Sequence, residues 1–225
     1  DNLDLRYEFY PNKGETISLG AFYKNFKNPI ENVTQITTEQ PQFKYKNAEK
    51  AYNYGLELEI RKSLKDVSKN PFLSRLSTNI NASYIISEVD LGDDVSSQDQ
   101  KRVLQGQSPY IINAGLNYND TKKGLQLNLN YNVIGKRIFA VGNNFGSPYP
   151  DWFEMPRNVI DFNFSKQISK MLMIKGGVSD LLNQGNTILQ DGNQDQVFDR
   201  NQDQIIQNYA PGRVVSLGII VSPFN

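Results

Sequence analysis

Residues 124–135 read GLQLNLNYNVIG, and apolar and polar side chains alternate along most of this stretch. In an extended chain Leu127, Leu129 and Tyr131 fall on one face, and Asn128 falls on the other. A period of two predicts a β-strand with one apolar and one polar face, because a helix would need apolar residues every three or four positions. We therefore predict a strand here with two unlike faces.

Nine segments of the chain share this alternation, and none shows a convincing helical pattern. They are residues 2–10, 16–26, 52–64, 76–87, 110–120, 124–135, 159–169, 172–182 and 213–224. Most contain about ten residues or more, which is the length that a tilted strand needs to cross the hydrocarbon layer of a membrane. The sequence therefore predicts an all-β protein with long antiparallel strands.

The connections between the predicted strands are short at one end and long at the other. The short links are residues 11–15, 65–75, 120–124 and 169–171, and the long polar loops are residues 29–50, 90–109, 143–156 and 184–212. Short periplasmic turns and long extracellular loops are typical of an up-and-down outer-membrane barrel. We therefore predict a transmembrane antiparallel up-and-down β-barrel. A soluble antiparallel sandwich remains the alternative, because its strands also alternate.

Three further features favour the membrane barrel over the soluble sandwich. Aromatic residues occur near the ends of the apolar faces, as interfacial girdles require. Examples are Tyr7, Phe9, Tyr54, Tyr84, Tyr118 and Tyr131. The opposite faces are polar, as a water-filled lumen would be. The hydrophobic fraction of 38% is low, which suits a wall that has one apolar face and no separate dry core.

Composition excludes several classes of function. The 24 basic and 24 acidic side chains leave no net charge, which argues against a nucleic-acid partner. The chain contains neither Cys nor His, so disulfides, common zinc sites and Ser-His or Cys-His nucleophile systems are unavailable. We expect no enzymatic activity, because the usual general base is missing.

Several segments resemble a known family over essentially the whole chain. They are NLDLRYEFYPNKGETISLGAFYKNFKNPIE (2–31), NYGLELEIRKSL (53–64), SPYIINAGLNYND (108–120), and GVSDLLNQGN with GRVVSLGIIV (177–186 and 212–221). They resemble the C-terminal barrel of TonB-dependent outer-membrane receptors, in the branch that includes carboxypeptidase-regulatory-like and SusC-like transporters. The resemblance implies a barrel of about 22 strands, of which residues 1–225 would supply the last nine. We expect the plug domain and the TonB box upstream of Asp1.

The resemblance also implies a function and its partners. Such a receptor lies in the bacterial outer membrane, contacts lipid, and binds TonB through its N-terminal region. It imports a large solute, such as a glycan, a peptide or a metal chelate, and SusC-like members work with a SusD-like surface lipoprotein. A barrel that serves as a structural scaffold in a larger outer-membrane complex is the alternative, because a fold does not fix a function. An intact plug and TonB box would favour transport.

The loop residues 143–156 contain the candidate contacts for a solute. Tyr149, Trp152 and Phe153 are aromatic, and their rings could stack on sugar faces. Packing of these rings within the loop or at the membrane interface is the alternative. We interpret the charged residues of the polar face as a solvated or mutually paired wall. These residues are Arg6, Glu8, Glu57, Glu59 and Arg61.

Residues 191–204 read DGNQDQVFDRNQDQ, in which the pattern D-x-N-x-D-Q occurs twice. Carboxylate and amide oxygens at alternate positions suit calcium, although the Gly and Glu of the helix-loop-helix motif are missing. The predicted ligands are Asp191, Asn193, Asp195 and Asp199, with Asn201 and Asp203 from the second unit. Receptors of the resembled branch often carry such a run in this loop, which supports a structural calcium ion. An acidic, solvated loop is the alternative, and no other cofactor is expected.

Overall fold

A computed structural model describes residues 1–36, 41–65, 67, 70–92, 101–142, 149–193 and 195–222, with backbone alone for 32–36 and 41–43. In this part of the chain the single helical element is a 3₁₀ turn at Leu73–Arg75. No helix among these residues is long and apolar enough to span a membrane.

Sixteen strands account for most of the described chain. In chain order they are β1 (Asn2–Phe9), β2 (Thr16–Lys27), β3 (Ile30–Ile36), β4 (Pro41–Asn47), β5 (Lys50–Ser63), β6 (Leu76–Asp90), β7 (Lys101–Arg102), β8 (Tyr110–Asp120), β9 (Leu125–Ile134), β10 (Arg137–Ala140), β11 (Trp152–Glu154), β12 (Arg157–Gln167), β13 (Leu172–Ser179), β14 (Asn186–Gln190), β15 (Gln204–Tyr209) and β16 (Val214–Val221).

Nine of these strands form one continuous antiparallel sheet. Their order is β1-β2-β5-β6-β8-β9-β12-β13-β16, and β7 pairs with the end of β6. They correspond to the nine strands that alternation predicts, which confirms the up-and-down topology. The predicted end of the last strand, residues 223–224, lies outside the described residues.

The register of the sheet joins the apolar positions of successive strands into one face. Leu116 pairs with Leu129, and the row continues through Phe162 and Val178 to Val215. Leu129 is 42% exposed and Val215 is 76% exposed. Because apolar side chains this open to water would be unfavourable across a whole face, the face suits contact with lipid.

The long connections depart from the prediction, because several of them fold into strands of their own. β3 and β4 form a hairpin within residues 29–50, and β10, β11, β14 and β15 form a second, four-stranded sheet. This small sheet buries apolar side chains that lie outside the nine predicted strands. They include Ile138, Val141, Ile188 and Leu189, each no more than 3% exposed. These described parts of the long connections therefore form a packed layer rather than open loops.

A close approach between neighbouring strands generates a stability prediction at Gly55. A methyl group there would lie 2.3 Å from the carbonyl oxygen of Tyr84 and 2.8 Å from the ring of Phe22. At Gly20 the nearest atom would be Cβ of Glu57, at an ordinary 3.5 Å. We expect Gly55→Ala to lower the free energy of unfolding by about 1–3 kcal/mol through overpacking.

The matched control is Gly20→Ala on the neighbouring strand, which should have little effect or stabilise slightly. Urea titration of the whole protein in micelles, monitored by tryptophan fluorescence, measures the free energy of unfolding of both variants. Equal effects of the two substitutions would contradict the close approach at Gly55.

Candidate solute-contacting rim and lumen

All four long connections lie at the same end of the nine-stranded sheet. We use the term rim for the described residues of these four connections, which fall within 28–49, 91–109, 135–156 and 180–213. The connections at the opposite end are the short links, of which 121–124 and 168–171 are tight turns. The residues that could meet a solute first therefore lie in the rim and on the polar face below it.

A buried ion pair holds the β3–β4 hairpin to the nine-stranded sheet. Arg102 of β7 donates from Nη2 to Oε2 of Glu31 at 2.6 Å and from Nη1 to Oε1 at 3.3 Å. The two side chains are only 6% and 2% exposed. Arg102 itself is paired with Val89 in the sheet. Because two bonds join planar groups, the pair fixes the orientation of the hairpin as well as its position.

The predicted aromatic residues are half-buried and contact other rings of the rim. Tyr149 and Trp152 have ring centroids 6.2 Å apart, and Phe153 meets Phe198 edge-on at 4.8 Å. Trp152 and Phe153 are neighbours in β11, so their side chains leave opposite faces of the small sheet. The structure does not gather the three predicted rings into one cluster, and their contact with a solute stays a prediction.

Lys136 links the rings of β11 to the loop that carries the acidic repeat. Its Nζ lies 3.9 Å from the ring centroid of Phe198 and 5.1 Å from that of Phe153. Burial lowers the pKa of Lys136, and the charge of nearby Asp191 opposes this shift. Sequence reasoning missed this residue, since an isolated Lys in a polar connection gives no signal of its own.

The acidic repeat closes the hairpin formed by β14 and β15. In the first unit the carboxylate of Asp191 accepts the backbone N–H of Asp195 at 3.2 Å and that of Gln196 at 2.8 Å. Asp195 in turn accepts the side-chain amide of Asn193 at 2.9 Å. The first unit is therefore a compact turn stabilised by its own carboxylates.

The second unit has a similar internal arrangement. Oδ2 of Asp203 accepts the backbone N–H of Asp199 at 2.7 Å, and Asp199 accepts that of Asn201 at 2.9 Å. Asp203 is 7% exposed, and its Oδ1 has no hydrogen-bond partner among the described residues. Within the same part of the chain, no three acidic side chains converge closely enough to hold a metal ion. Calcium binding stays a prediction.

Ion pairs link four of the five charged residues that the sequence places on the polar face. Arg6 lies 2.6 Å from Glu8 and 2.8 Å from Glu59, and Arg61 approaches Glu59 at 4.0 Å. These contacts agree with the interpretation of a mutually paired wall. Since the side chains are partly open to solvent, the pairs contribute little stability.

Uncharged amides cover the middle of the polar face. Asn132 donates to Oδ1 of Asn113 at 2.7 Å, and Asn117 donates to Oδ1 of Asn79 at 3.0 Å. The four side chains come from β6, β8 and β9, so the amide contacts cross strand boundaries. This wall offers neutral donors and acceptors to whatever passes it.

The segment DLLNQ, residues 180–184, ties the end of β13 to β12. Asp180 binds the guanidinium of Arg157, and Oε1 of Gln184 accepts the backbone N–H of Asn158 at 2.8 Å. Sequence reasoning used this segment only for its resemblance to the receptor family. The structure shows that its polar side chains anchor the last long connection to the wall.

A comparison with protein families matches residues 1–181 to a family described as TonB dependent receptor-like, beta-barrel. The chain belongs to the TonB-dependent receptor-like β-barrel family. It is thus part of a barrel of the bacterial outer membrane, which confirms the predicted fold and location. No curated protein sequence matches the chain significantly.

Solved structures of several transporters and receptors share the fold. The chain is similar to the ferric citrate transporter FecA, with 18% identity over 97% of this chain and 30% of that one, at a TM-score of 0.66. The copper transporter OprC is 14% identical over 98% of this chain and 31% of its own, with a TM-score of 0.64. The ferric yersiniabactin uptake receptor FyuA from Yersinia pestis is 18% identical over 99% of this chain and 30% of its own, with a TM-score of 0.60. The chain therefore spans less than a third of each of these three solved proteins.

The buried pair between Arg102 and Glu31 gives a prediction for the rim. We expect Arg102→Ala to destabilise the β3–β4 hairpin by about 3–5 kcal/mol, because Glu31 would keep a buried charge without its partner. Digestion of intact cells with an external protease should cut the variant within residues 28–49 faster than the unaltered protein.

Lys101→Ala is the matched control, since the side chain of Lys101 is 60% exposed and lies 3.7 Å from Glu88. The double change Arg102→Leu with Glu31→Leu removes both charges, and should restore much of the protease resistance. If Arg102→Ala and Lys101→Ala are cut equally fast, the ion pair does not hold the hairpin.

Proposed function

We propose that residues 1–225 form the C-terminal wall and rim of a TonB-dependent transporter that imports a large solute across the outer membrane. The main observation behind this proposal is a nine-stranded sheet that is apolar on one face and polar on the other. Its four long connections all lie at one end. The nine strands would be the last of about 22. The plug domain and the TonB box would lie upstream, and would supply energy from the inner membrane.

We further place the transporter in the branch with carboxypeptidase-regulatory-like and SusC-like members, with a SusD-like surface lipoprotein as a candidate partner. The supporting observation is the resemblance of segments such as residues 53–64 and 177–186 to that branch. Glycans, peptides and metal chelates are the candidate solutes. The neutral amide wall suits a hydrogen-bonding solute, and Tyr149, Trp152 and Phe153 are the proposed contacts in the rim.

Intact-mass and N-terminal peptide analysis of the native protein from outer membranes tests the transport proposal. We expect a mass several times the 25.6 kDa of this chain, with a plug and a TonB box upstream. Cells should then be grown with maltooligosaccharides as the sole carbon source, tryptic peptides as the sole nitrogen source, or ferric citrate as the sole iron source. Deletion of that TonB box should abolish growth under one of these three conditions. A native protein without plug and TonB box would support a scaffold role instead.

We also propose that the acidic repeat binds a structural calcium ion. Asp191, Asn193 and Asp195 would supply ligands from the first unit, and Asp199 would supply another. Asn201 and Asp203 are the alternatives from the second unit. The buried Oδ1 of Asp203 supports the proposal, because a buried carboxylate oxygen without a partner is costly. The ion would stiffen the hairpin rather than take part in chemistry.

Calorimetric titration of the EDTA-treated whole protein with calcium tests this site. We expect a dissociation constant of about 10⁻⁴–10⁻³ M, as in other extracellular calcium modules. Asp203→Asn should weaken calcium binding if the second unit contributes a ligand. Asp191→Asn should weaken it if the first unit contributes one. Magnesium is the control ion and should bind much more weakly. No heat change at millimolar calcium, with unchanged protease cleavage of the loop, would overturn the proposal.

A further inference from the structure

A groove of about 520 Å³ lies in the rim between the β3–β4 hairpin and β10. Its lining is mainly apolar. The apolar and aromatic side chains include Phe26, Ile30, Tyr45, Leu104, Ile138 and Phe139. This volume falls within the range of about 300–1,000 Å³ that is usual for small-molecule sites in proteins. The rings predicted from the sequence at residues 149, 152 and 153 do not belong to this lining.

The groove lies on the inner side of the wall. Phe26 has the same parity in β2 as Phe22 and Lys24, and the lipid-facing Tyr23 has the opposite parity. The β3–β4 hairpin also turns toward this inner side, since its Glu31 binds Arg102. A solute that enters from outside would therefore pass the groove at the mouth of the barrel.

The charged side chains at the groove are neutralised by partners. Arg137 donates from Nε to Oε2 of Glu154 at 2.7 Å, and its Nη2 lies equally close to that oxygen. Glu31 is held by Arg102. Because each acid has an adjacent guanidinium, the groove offers no net charge to an ionic ligand. An ion that entered would lose its water without gaining an opposite charge.

Hydrogen bonds join residues 105–106 to β10, so that this wall of the groove is formed before a ligand binds. The backbone N–H of Gly106 donates to the carbonyl oxygen of Ile138 at 3.0 Å. The side-chain amide of Gln105 donates to the carbonyl oxygen of Phe139 at 2.9 Å. A ligand therefore need not order these segments, which lowers the entropic cost of binding.

Apolar side chains at this water-facing mouth are unusually open. Tyr45 is 82% exposed, Ile30 is 72% exposed and Phe139 is 47% exposed. They belong to the β3–β4 hairpin and to β10 rather than to the nine-stranded sheet, and they border a groove that lies away from the apolar face of that sheet. Exposed apolar surface of this kind, collected around a groove, marks a binding site.

We propose that this groove binds an uncharged aromatic group of the imported solute. The proposal rests on the transport function and adds the chemical class of one part of the solute. Phe26, Tyr45 and Phe139 supply ring faces and edges for stacking, and Ile30 and Leu104 supply aliphatic contacts. The paired charges select against ionised rings.

Fluorine NMR of the whole protein in lipid nanodiscs tests the proposal with two ligands that share one ring. 4-Fluorobenzyl alcohol is neutral and 4-fluorobenzoate is an anion, and empty nanodiscs correct for partition into lipid. We expect the alcohol to bind at least roughly tenfold more tightly than the benzoate, the ratio that about 1.4 kcal/mol produces. Equal binding of the two ligands, or no binding above empty nanodiscs, would overturn the proposal.

Variants locate the binding in the groove. Ile30→Glu places a charge at an exposed position and should abolish binding of the alcohol, while Phe139→Ala should weaken it by roughly tenfold. Tyr209→Ala is the control, because Tyr209 is 49% exposed in the rim but lies outside the groove. If Ile30→Glu binds the alcohol as the unaltered protein does, the groove is not the site.

The outcome is separable from that of the transport proposal. If the alcohol does not bind but the native protein carries a plug and a TonB box, the groove proposal alone fails. If the alcohol binds as expected in a native protein without them, the groove is upheld as an aromatic site and the transport proposal fails.

Discussion

The backbone hydrogen-bond ladder of the nine long strands is the interaction on which the rest of the structure depends. In hydrocarbon an unpaired N–H or C=O group costs several kcal/mol, so a spanning chain must pair these groups between strands. The ladder from β1 to β16 does so with every strand antiparallel to its neighbours. Once that ladder is set, the pleat assigns each side chain to the lipid face or to the polar face.

A single sheet with lipid on one face and water on the other does not enclose an apolar core of its own. Apolar side chains of the wall are open on the lipid face, whereas the buried ones collect mainly in the rim. Ile138, Val141 and Leu189 are each no more than 2% exposed. The buried pair of Arg102 and Glu31 joins this packed layer to the wall. The rim can therefore keep a defined shape at the mouth, as the proposed recognition of a solute requires.

Alternation along the chain was sufficient to predict the nine strands, because a period of two depends only on neighbouring residues. The rim could not be predicted in this way. Its strands are short, and contacts such as that of Glu31 with Arg102 join residues that are 71 positions apart. The sequence marks Trp152 and Phe153 together as candidate solute contacts, but neighbours in a strand face opposite ways. The acidic repeat was visible as a pattern, although its geometry depends on the hairpin that presents it.

The assignment of the two faces of the wall is the central claim, and single-cysteine labelling along β9 tests it most directly. Residues 1–225 contain no Cys, so once any Cys elsewhere in the protein is replaced, each introduced thiol reports on its own position. In the native membrane, Cys at Leu127, Leu129 and Tyr131 should resist a water-soluble maleimide, and a fluorophore there should be quenched by spin-labelled acyl chains. Cys at Asn128 and Asn130 should show the reverse. Equal labelling at all five positions, or no quenching by lipid at any, would contradict a barrel wall with lipid on one side and water on the other.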